Sequence, residues 1–435
     1  MFQRIRSLSY RTFKNIFFTP ASLLIALLIF LIPLWALRLE GDGTAVGKFR
    51  IFTTYTFLLA SFLLIGLNIF ISSLVLSRDW KRKSLYLLDV KPVRRWEILV
   101  GKWLGIQILN IVLLLFLYLS LVLSSYILEK RILPRLTGKK DILTTYIKVF
   151  PTAEKLGAHR MSPDSSPLTS PELTTGEKEK RVSLSIPPGS NATWIFEGIR
   201  EGKSFLILQY RFYTAGKKEK KVGGVWMIGD PGTRKVFHFE TEVTPGEIHQ
   251  LRIPPEMVQK GRISVTYFNG DVEKRSVVFP RGEVNLLVPW GNYWLNLVMG
   301  EFMLYLILSF TSFVGLAFTT AISSITSIMA TFTLVVLSFA RPFVKILLDT
   351  LLQNIKSQPH FTFIPRISFL LVSSLNRILP PLDKCLPHVF LGNSLIPPLS
   401  LVGKLFLEIT LLKGGIIFLL GILYFSRKEI GIPNE

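Results

Sequence analysis

The run Glu201-Gly-Lys-Ser204, with Gly198 before it, is the closest approach in this chain to a phosphate-binding loop. Such a loop needs four residues between its glycines, so that successive backbone amides can wrap the phosphates. Gly198 and Gly202 have three between them, so a hairpin turn is the expectation. The histidines stand at 159, 238, 249, 360 and 388, none with a His, Cys or acid at helical ligand spacing. His238 and His249 fall in adjacent predicted strands and could approach each other, although exposed strand histidines are far commoner. A single cysteine, Cys385, excludes an internal disulfide and any multi-cysteine metal cluster. Asn191-Ala-Thr193 matches the glycosylation acceptor pattern, a short one. No nucleophile elbow or cooperating carboxylate pair is legible. The expectation is therefore no catalytic, metal or cofactor-binding residue, and a chain that is not itself an enzyme.

What remains chemically distinctive is a set of polar residues inside apolar stretches: Asn68, Gln107, Asn110, Glu301 and Glu408. Ionisable or amide groups at such positions are functional candidates by default. The amides are expected to hydrogen-bond between helices rather than line a path. Lys404 and Glu408, four residues apart, are expected to pair on one helix face.

The elements that carry these residues follow from where charge is missing. The chain has 435 residues, 49% hydrophobic and 18% charged, with mean hydropathy +0.42. No Asp, Glu, Lys or Arg occurs in 15–37, 51–77, 103–128 or 302–340. About 20 apolar residues cross a bilayer core, so the first three stretches read as one span each. The fourth would be about 58 Å long as one helix. It reads as two spans joined by a turn in Thr319–Ser327. A sixth span is expected near Leu405–Phe425. Ahead of the first span, 1–18 mixes Arg4, Arg6, Arg11 and Lys14 with apolar residues, the pattern of an interfacial amphipathic helix. It is too long for the basic leader of a cleaved signal peptide.

Short-loop Lys and Arg set the orientation. Eight fall in 78–102, four in the leader, and Arg427 and Lys428 follow the last span. Both termini and the 78–102 connection are therefore expected in the cytoplasm. The 341–400 stretch, an external interfacial segment in this reading, carries six basic residues against Asp349 and Asp383, contrary to the charge rule.

Between the third and fourth spans the texture changes. Residues 129–180 read as an external linker region, Ser/Pro/Thr-rich from 156. From 181 to 290, short β-branched and aromatic runs separated by Gly, Pro, Asn and Asp predict an external antiparallel β-sandwich. Of the 51 basic residues, 26 lie in 129–290 beside 18 acids. The net charge of +22 thus mixes an orientation signal with a basic external domain, and nucleic acid is not an expected partner.

The stretch at 77–105, SRDWKRKSLYLLDVKPVRRWEILVGKWLG, resembles ABC-transporter permeases of the type-2 exporter class. Ser77, Arg78, Leu85, Leu88, Pro92, Val93, Arg95, Trp96, Glu97, Gly101, Lys102 and Gly105 fit their pattern. The basic N-terminal helix, the SRKEIG ending (426–431) and LPPLDKCLPHVFLGN (379–393) extend the resemblance, the last towards permeases of copper-enzyme maturation and gliding machinery. KRKSLY at 81–86 stands where the family carries an acidic stretch. The resemblance implies a six-helix half-transporter of a bacterial cytoplasmic (inner) membrane. It would pair with a second permease copy or a homologous one, and bind cytoplasmic ABC ATPase subunits that hold ATP and Mg. Arg78, Asp79, Trp80, Leu85, Leu88, Pro92, Arg94, Arg95, Trp96 and Glu97 would form the ATPase-coupling loop.

Membrane lipid and an envelope partner of the β-domain complete the expected contacts. A mechanotransducing or scaffold subunit that moves no solute is the alternative. A sugar-binding receptor using Trp194, Trp226, Tyr267 and Phe268 is a third reading, with core packing of those rings as its rival. The orientation has a direct check. Cysteines placed at Gly43, Thr233 and Ser357 should react with an impermeant thiol reagent from outside, and one at Ser84 should not; the inverse pattern would reverse the topology.

Overall fold

A computed structural model describes residues 2–40, 45–81, 94–132, 144–157, 183–199, 205–214, 221–229, 236–271, 273, 275–357 and 363–427. The chain divides into a helical unit, Met1–Leu143 with Asn292–Glu435, and a β unit, Thr144–Gly291.

In the helical unit, α1 (Phe2–Phe17) is amphipathic and ends where Pro20 opens α2 (Pro20–Ala36). Thr19 caps α2, its Oγ1 accepting from the Ser22 amide, and Pro20 takes the first helical position, where no amide proton is needed. The two helices meet at 73°. Next come α3 (Ala45–Lys81) and α4 (Arg95–Ile127), the latter running on through a π turn at Leu128–Ile132. The return from the β unit starts α5 (Tyr293–Ala321), which breaks at Ile322. Ser323 caps α6 (Ser324–Phe339), placing the turn inside the hydroxyl-rich stretch where the sequence put it. α7 (Arg341–Ser357) follows α6 at a 59° bend, and α8 (Phe363–Ile378) packs beside it, Arg341 Nε donating to Asn376 Oδ1 at 3.0 Å. A short α9 (Pro387–Leu391) leads to α10 (Leu399–Arg427).

Among the described residues, four helices are long and apolar enough to cross a membrane: α3, α4, α5 and α10. Six spans result if each bent pair, α1 with α2 and α6 with α7, counts as one. At 17 and 16 residues, α2 and α6 reach about 25 Å, short of a 30 Å hydrocarbon core. The protein is thus a mostly helical, membrane-embedded chain with a separate β region.

The segment after α8 returns to one end of the bundle. Asn296, in the first turn of α5, donates from Nδ2 to the Leu395 carbonyl at 3.0 Å. Gly392 lies against Thr54, near the start of α3. Cys385 is buried there, and burial, with Asp383 and Glu408 nearby, pushes its thiol up to about 12. It is therefore an inert core group rather than a nucleophile.

The β unit starts earlier than the sequence suggested. β1 (Thr144–Val149) and β2 (Ala153–Gly157) fall in the stretch read as linker. TTYIKV alternates well enough for a strand, but Pro151 and the Ser/Pro-rich residues that follow obscured it. The other strands are β3 (Ser183–Ile186), β4 (Asn191–Glu197), β5 (Leu206–Tyr210), β6 (Tyr213–Thr214), β7 (Val222–Ile228), β8 (Phe237–Val243), β9 (His249–Ile253), β10 (Arg262–Phe268), β11 (Val277–Pro280) and β12 (Asn285–Asn292). They form three sheets, in the orders β1-β12-β5-β9, β2-β4-β10-β7-β8 and β3-β11-β6. Val265 pairs with Trp194 on one side and Ile228 on the other, both ladders antiparallel. Burial alternates along β5, β7 and β10, as a strand with one face on a core requires.

That core is aromatic and drawn from all three sheets. The Trp226 ring lies 4.6 Å from Tyr210 and 4.8 Å from Tyr267, and Phe279 lies 5.2 Å from Trp194. Such ring pairs add about 0.5–1.5 kcal/mol each to the area they bury. Trp194, Trp226 and Tyr267 are at most 2% exposed and pack in this core, so these three rings offer no face to a sugar; Phe268, the fourth ring of that reading, is half-buried. β8 and β9, which carry His238 and His249, belong to different sheets, and a His249 ring nitrogen bonds the Thr244 carbonyl.

The β10–β11 connection is held by a fork. Arg275 donates from Nε and Nη2 to the two Asp271 carboxylate oxygens at 2.8 and 2.9 Å, and Asn269 Nδ2 donates to the Ile186 and Arg275 carbonyls. These bonds hold the Asp271 carboxyl below the usual carboxylate range. A lowered folded value contributes stability that is complete above the unfolded value, about 3.9, and is lost as pH falls through the folded one. Asp271→Asn should destabilise the β unit by roughly 3 kcal/mol at pH 7, and the difference from the parent should close in acid; a pH-independent difference in denaturant midpoints would contradict this origin.

Candidate functional site

The charge-free windows of α3 and α4 stop at Ser77 and Trp103, but both helices run further. α3 continues through Arg78, Asp79, Trp80 and Lys81, and α4 begins at Arg95. The stretch Gly47–Trp80 of α3, 34 residues, is about 51 Å long, well beyond the bilayer core, so charged helix ends extend past its apolar part. The connection between them, with Leu85, Leu88 and Pro92, lies outside the described residues.

The two ends are tied to each other. Lys102, 4% exposed, reaches from the first turns of α4 to the Asp79 carboxylate and lies 3.4 Å from the Val75 carbonyl. An unpartnered ammonium so buried would be strongly unfavourable, and the Asp79 carboxylate offsets part of that cost. Glu97 accepts from the Arg94 amide at 3.1 Å, capping α4 where a carboxylate also suits the helix dipole. It is 3% exposed. Trp80 packs edge-on against Phe425 at the end of α10, with 6.2 Å between ring centroids.

The amphipathic α1 lies along this start of α4. Gly101 and Gly105 leave the space: a Cβ at 101 would stand 2.8 Å from Leu8 Cβ, and one at 105 would stand 2.7 Å from Thr12 Cβ. Small residues four apart let helix backbones approach closely. The opposite side of α1 exposes Arg4, Arg6, Arg11 and Lys14. One body thus joins α1, the end of α3, the start of α4 and, through Trp80, the end of α10.

The expected coupling residues therefore divide. Arg78 and Arg94 are exposed, and Arg95 and Trp96 are half-buried. Asp79, Trp80 and Glu97 face other parts of this chain instead of an open surface. The Lys102–Asp79 tie and the seat for α1 were missed in the sequence, although Gly101-Lys-Trp-Leu-Gly105 carries the small-residue spacing that signals such a seat.

The intramembrane candidates come together around α5. Asn68 Nδ2 donates to the Leu308 carbonyl and Thr311 Oγ1, each at 2.5 Å, and Gln107 Nε2 donates to Ser312 Oγ at 2.7 Å. Asn110 is buried on α4, and its Nδ2 has no partner among the described residues. Glu301, in the third turn of α5, is half-buried with Oε1 unpartnered among the described residues. Glu408 does not pair with Lys404. Phe406–Gly414 is a π-helical stretch, and its i→i+5 register sets Glu408 against Lys413 at 3.0 Å, with Lys413 also donating to the Leu379 carbonyl.

Among the described residues no group of three His, Cys, Asp or Glu side chains converges to hold a metal. The EGKS run lies outside the described residues; Gly198 before it turns the chain with φ +75°. No family model, curated protein or solved structure matches this chain.

The tie makes a specific prediction. Asp79→Asn should lower stability by about 3 kcal/mol, because a buried ammonium loses its counter-charge, and Asp79→Asn with Lys102→Met should recover most of the loss. Thermal unfolding in detergent checks it; additive losses in the double variant would deny the coupling.

Proposed function

We propose that this chain is the membrane-spanning permease subunit of an ATP-driven exporter of the type-2 ABC class. A separate cytoplasmic ATPase, holding ATP and Mg, would act on the end of the bundle that carries 78–102. The observation that supports this reading best is the clasp itself. A force on α1 or on the connection after Lys81 enters α3 and α4 together, because the ion pair of the buried Lys102 with Asp79 and two helix-packing glycines join all three. The exposed Arg78 and Arg94 and the basic face of α1 provide a cationic docking surface. In this reading the membrane is a bacterial inner membrane, both termini are cytoplasmic, six spans are completed by the bent pairs, and the β unit is an external sandwich-type domain facing substrate or an envelope partner. A second permease copy completes the transporter.

One observation favours the alternative, a mechanotransducing subunit that moves no solute. The buried Asn68 and Gln107 amide donors and the Thr319 hydroxyl are committed to bonds between helices rather than offered to a solute. Transport assays in vesicles with the partner ATPase separate the two: substrate movement supports export, and turnover without it supports mechanotransduction.

Docking has its own test. Arg94→Glu with Arg95→Glu should reduce co-purification of the ATPase and its permease-stimulated turnover at least tenfold while the permease stays monodisperse. Unchanged association and turnover would remove the connection from the coupling role.

A further inference from the structure

A groove of about 820 Å³ opens on the helical unit between the α1–α2 elbow, α3 and α6. Ile25, Phe70, Met329 and Phe332 are typical of its walls, and Arg78 at one end is the one charged residue among the described residues that line it. The volume lies within the range of sites that hold a drug-sized ligand, about 300–1,000 Å³. Along α3 the lining runs from Phe62 to Arg78, about 24 Å of helix. That length exceeds one leaflet of a 30 Å core. Gly66 forms part of the floor, and a Cβ there would meet nothing within 4 Å, so the groove is open down to the α3 backbone.

A long apolar slot ending at a single cation suits an amphiphile with an anionic head. The Arg78 side chain is exposed, and no carboxylate or carbonyl partners its guanidinium among the described residues. Ile16 and Thr19 line the same groove, so the elbow that ends α1 borders it, one turn beyond the exposed Lys14. Arg78 thus sets positive charge at one end of the groove, and the walls carry none among the described residues. A guanidinium is the side chain best matched to a phosphate diester, which it can grip through two parallel N–H donors.

We infer that this groove is a binding site for an anionic phospholipid of the surrounding leaflet, with an acyl chain along Gly66 and Phe332 and the phosphate on Arg78. The inference requires only that the helical unit sits in a bilayer, so it stands or falls separately from the exporter reading. A lipid seated there would fill the gap that α2, α3 and α6 leave, and would hold the elbow of α1 against α3.

The test uses the full chain, purified from membranes and exchanged into vesicles containing phosphatidylglycerol and phosphatidylcholine of identical acyl chains. Native mass spectrometry then counts retained lipids. The parent should retain phosphatidylglycerol preferentially. Arg78→Gln should lower that preference about fivefold without abolishing phosphatidylcholine retention, as expected for one basic residue at an anionic surface, and Arg78→Lys should restore part of it. Gly66→Phe should reduce retention of both lipids by filling the floor; Met329→Trp, at a 62%-exposed wall position, serves the same purpose if the first variant does not fold. Equal retention by the parent and all variants would overturn the site. So would a groove-filling variant that shifts the monomer–dimer ratio and leaves lipid retention unchanged, since the occupant would then be a second copy of the chain.

Discussion

The helical unit is organised around α5, where the buried amide donors of Asn68 on α3 and Gln107 on α4 find acceptors within the protein. The C-terminal half of α5 is buried almost all round, so it is enclosed by other helices rather than by lipid. Asn68 on α3 and Gln107 on α4 both donate to the same two turns, Leu308–Ser312. Seven residues further on, Thr319 lies 3.1 Å from the Ser73 carbonyl and 3.1 Å from Ser327 Oγ, joining α3, α5 and α6. Gly315 lets Ser72 and Ser73 approach the α5 backbone. Apolar packing alone would not choose between rotations of these helices, since lipid tails are as apolar as leucine. The amide and hydroxyl bonds choose.

With α5 fixed, the rest of the bundle takes its places. Trp103 stacks on Phe313 with centroids 4.7 Å apart, and Phe418 of α10 closes on the same ring at 5.0 Å. α4 is thereby locked so that its first turns carry Lys102 towards Asp79 and present Gly101 and Gly105 to α1. The interior polar bonds and the clasp at the charged helix ends are parts of one rigid path. Between α2, α3 and α6, by contrast, the groove leaves part of α3 uncovered by any helix among the described residues.

Much of this was legible in the sequence because charge exclusion is a blunt and reliable signal. The apolar cores of α3, α4 and α10, the Pro20 start of α2 and the Ser323 break after α5 follow from composition and capping chemistry. Asn68 and Gln107 were recognisable as interhelical donors from their depth. Less was legible where the decisive geometry is not periodic. A π-helical register moved the partner of Glu408 from Lys404 to Lys413, which α-helical spacing cannot foresee. Asp79 and Glu97 read as surface acids of a connection, yet one neutralises a buried lysine and the other caps a helix. Strand membership failed similarly: β1 and β2 flank Pro151 and run into the Ser/Pro-rich stretch that hid them, and the assignment of β8 and β9 to different sheets depends on sheet order, which local pattern does not encode.

The most direct test of the clasp as a mechanical coupler is a distance measurement between spin labels at Tyr10 on α1 and Ile325 on α6, both exposed, in the permease with its ATPase. If α1, the end of α3 and the start of α4 move as one body, the distance distribution should shift between nucleotide-free and ATP-bound states, and Asp79→Asn should broaden it or uncouple it from nucleotide. An unchanged distribution in both states, with the ATPase bound and turning over, would contradict the coupling role of this end of the bundle.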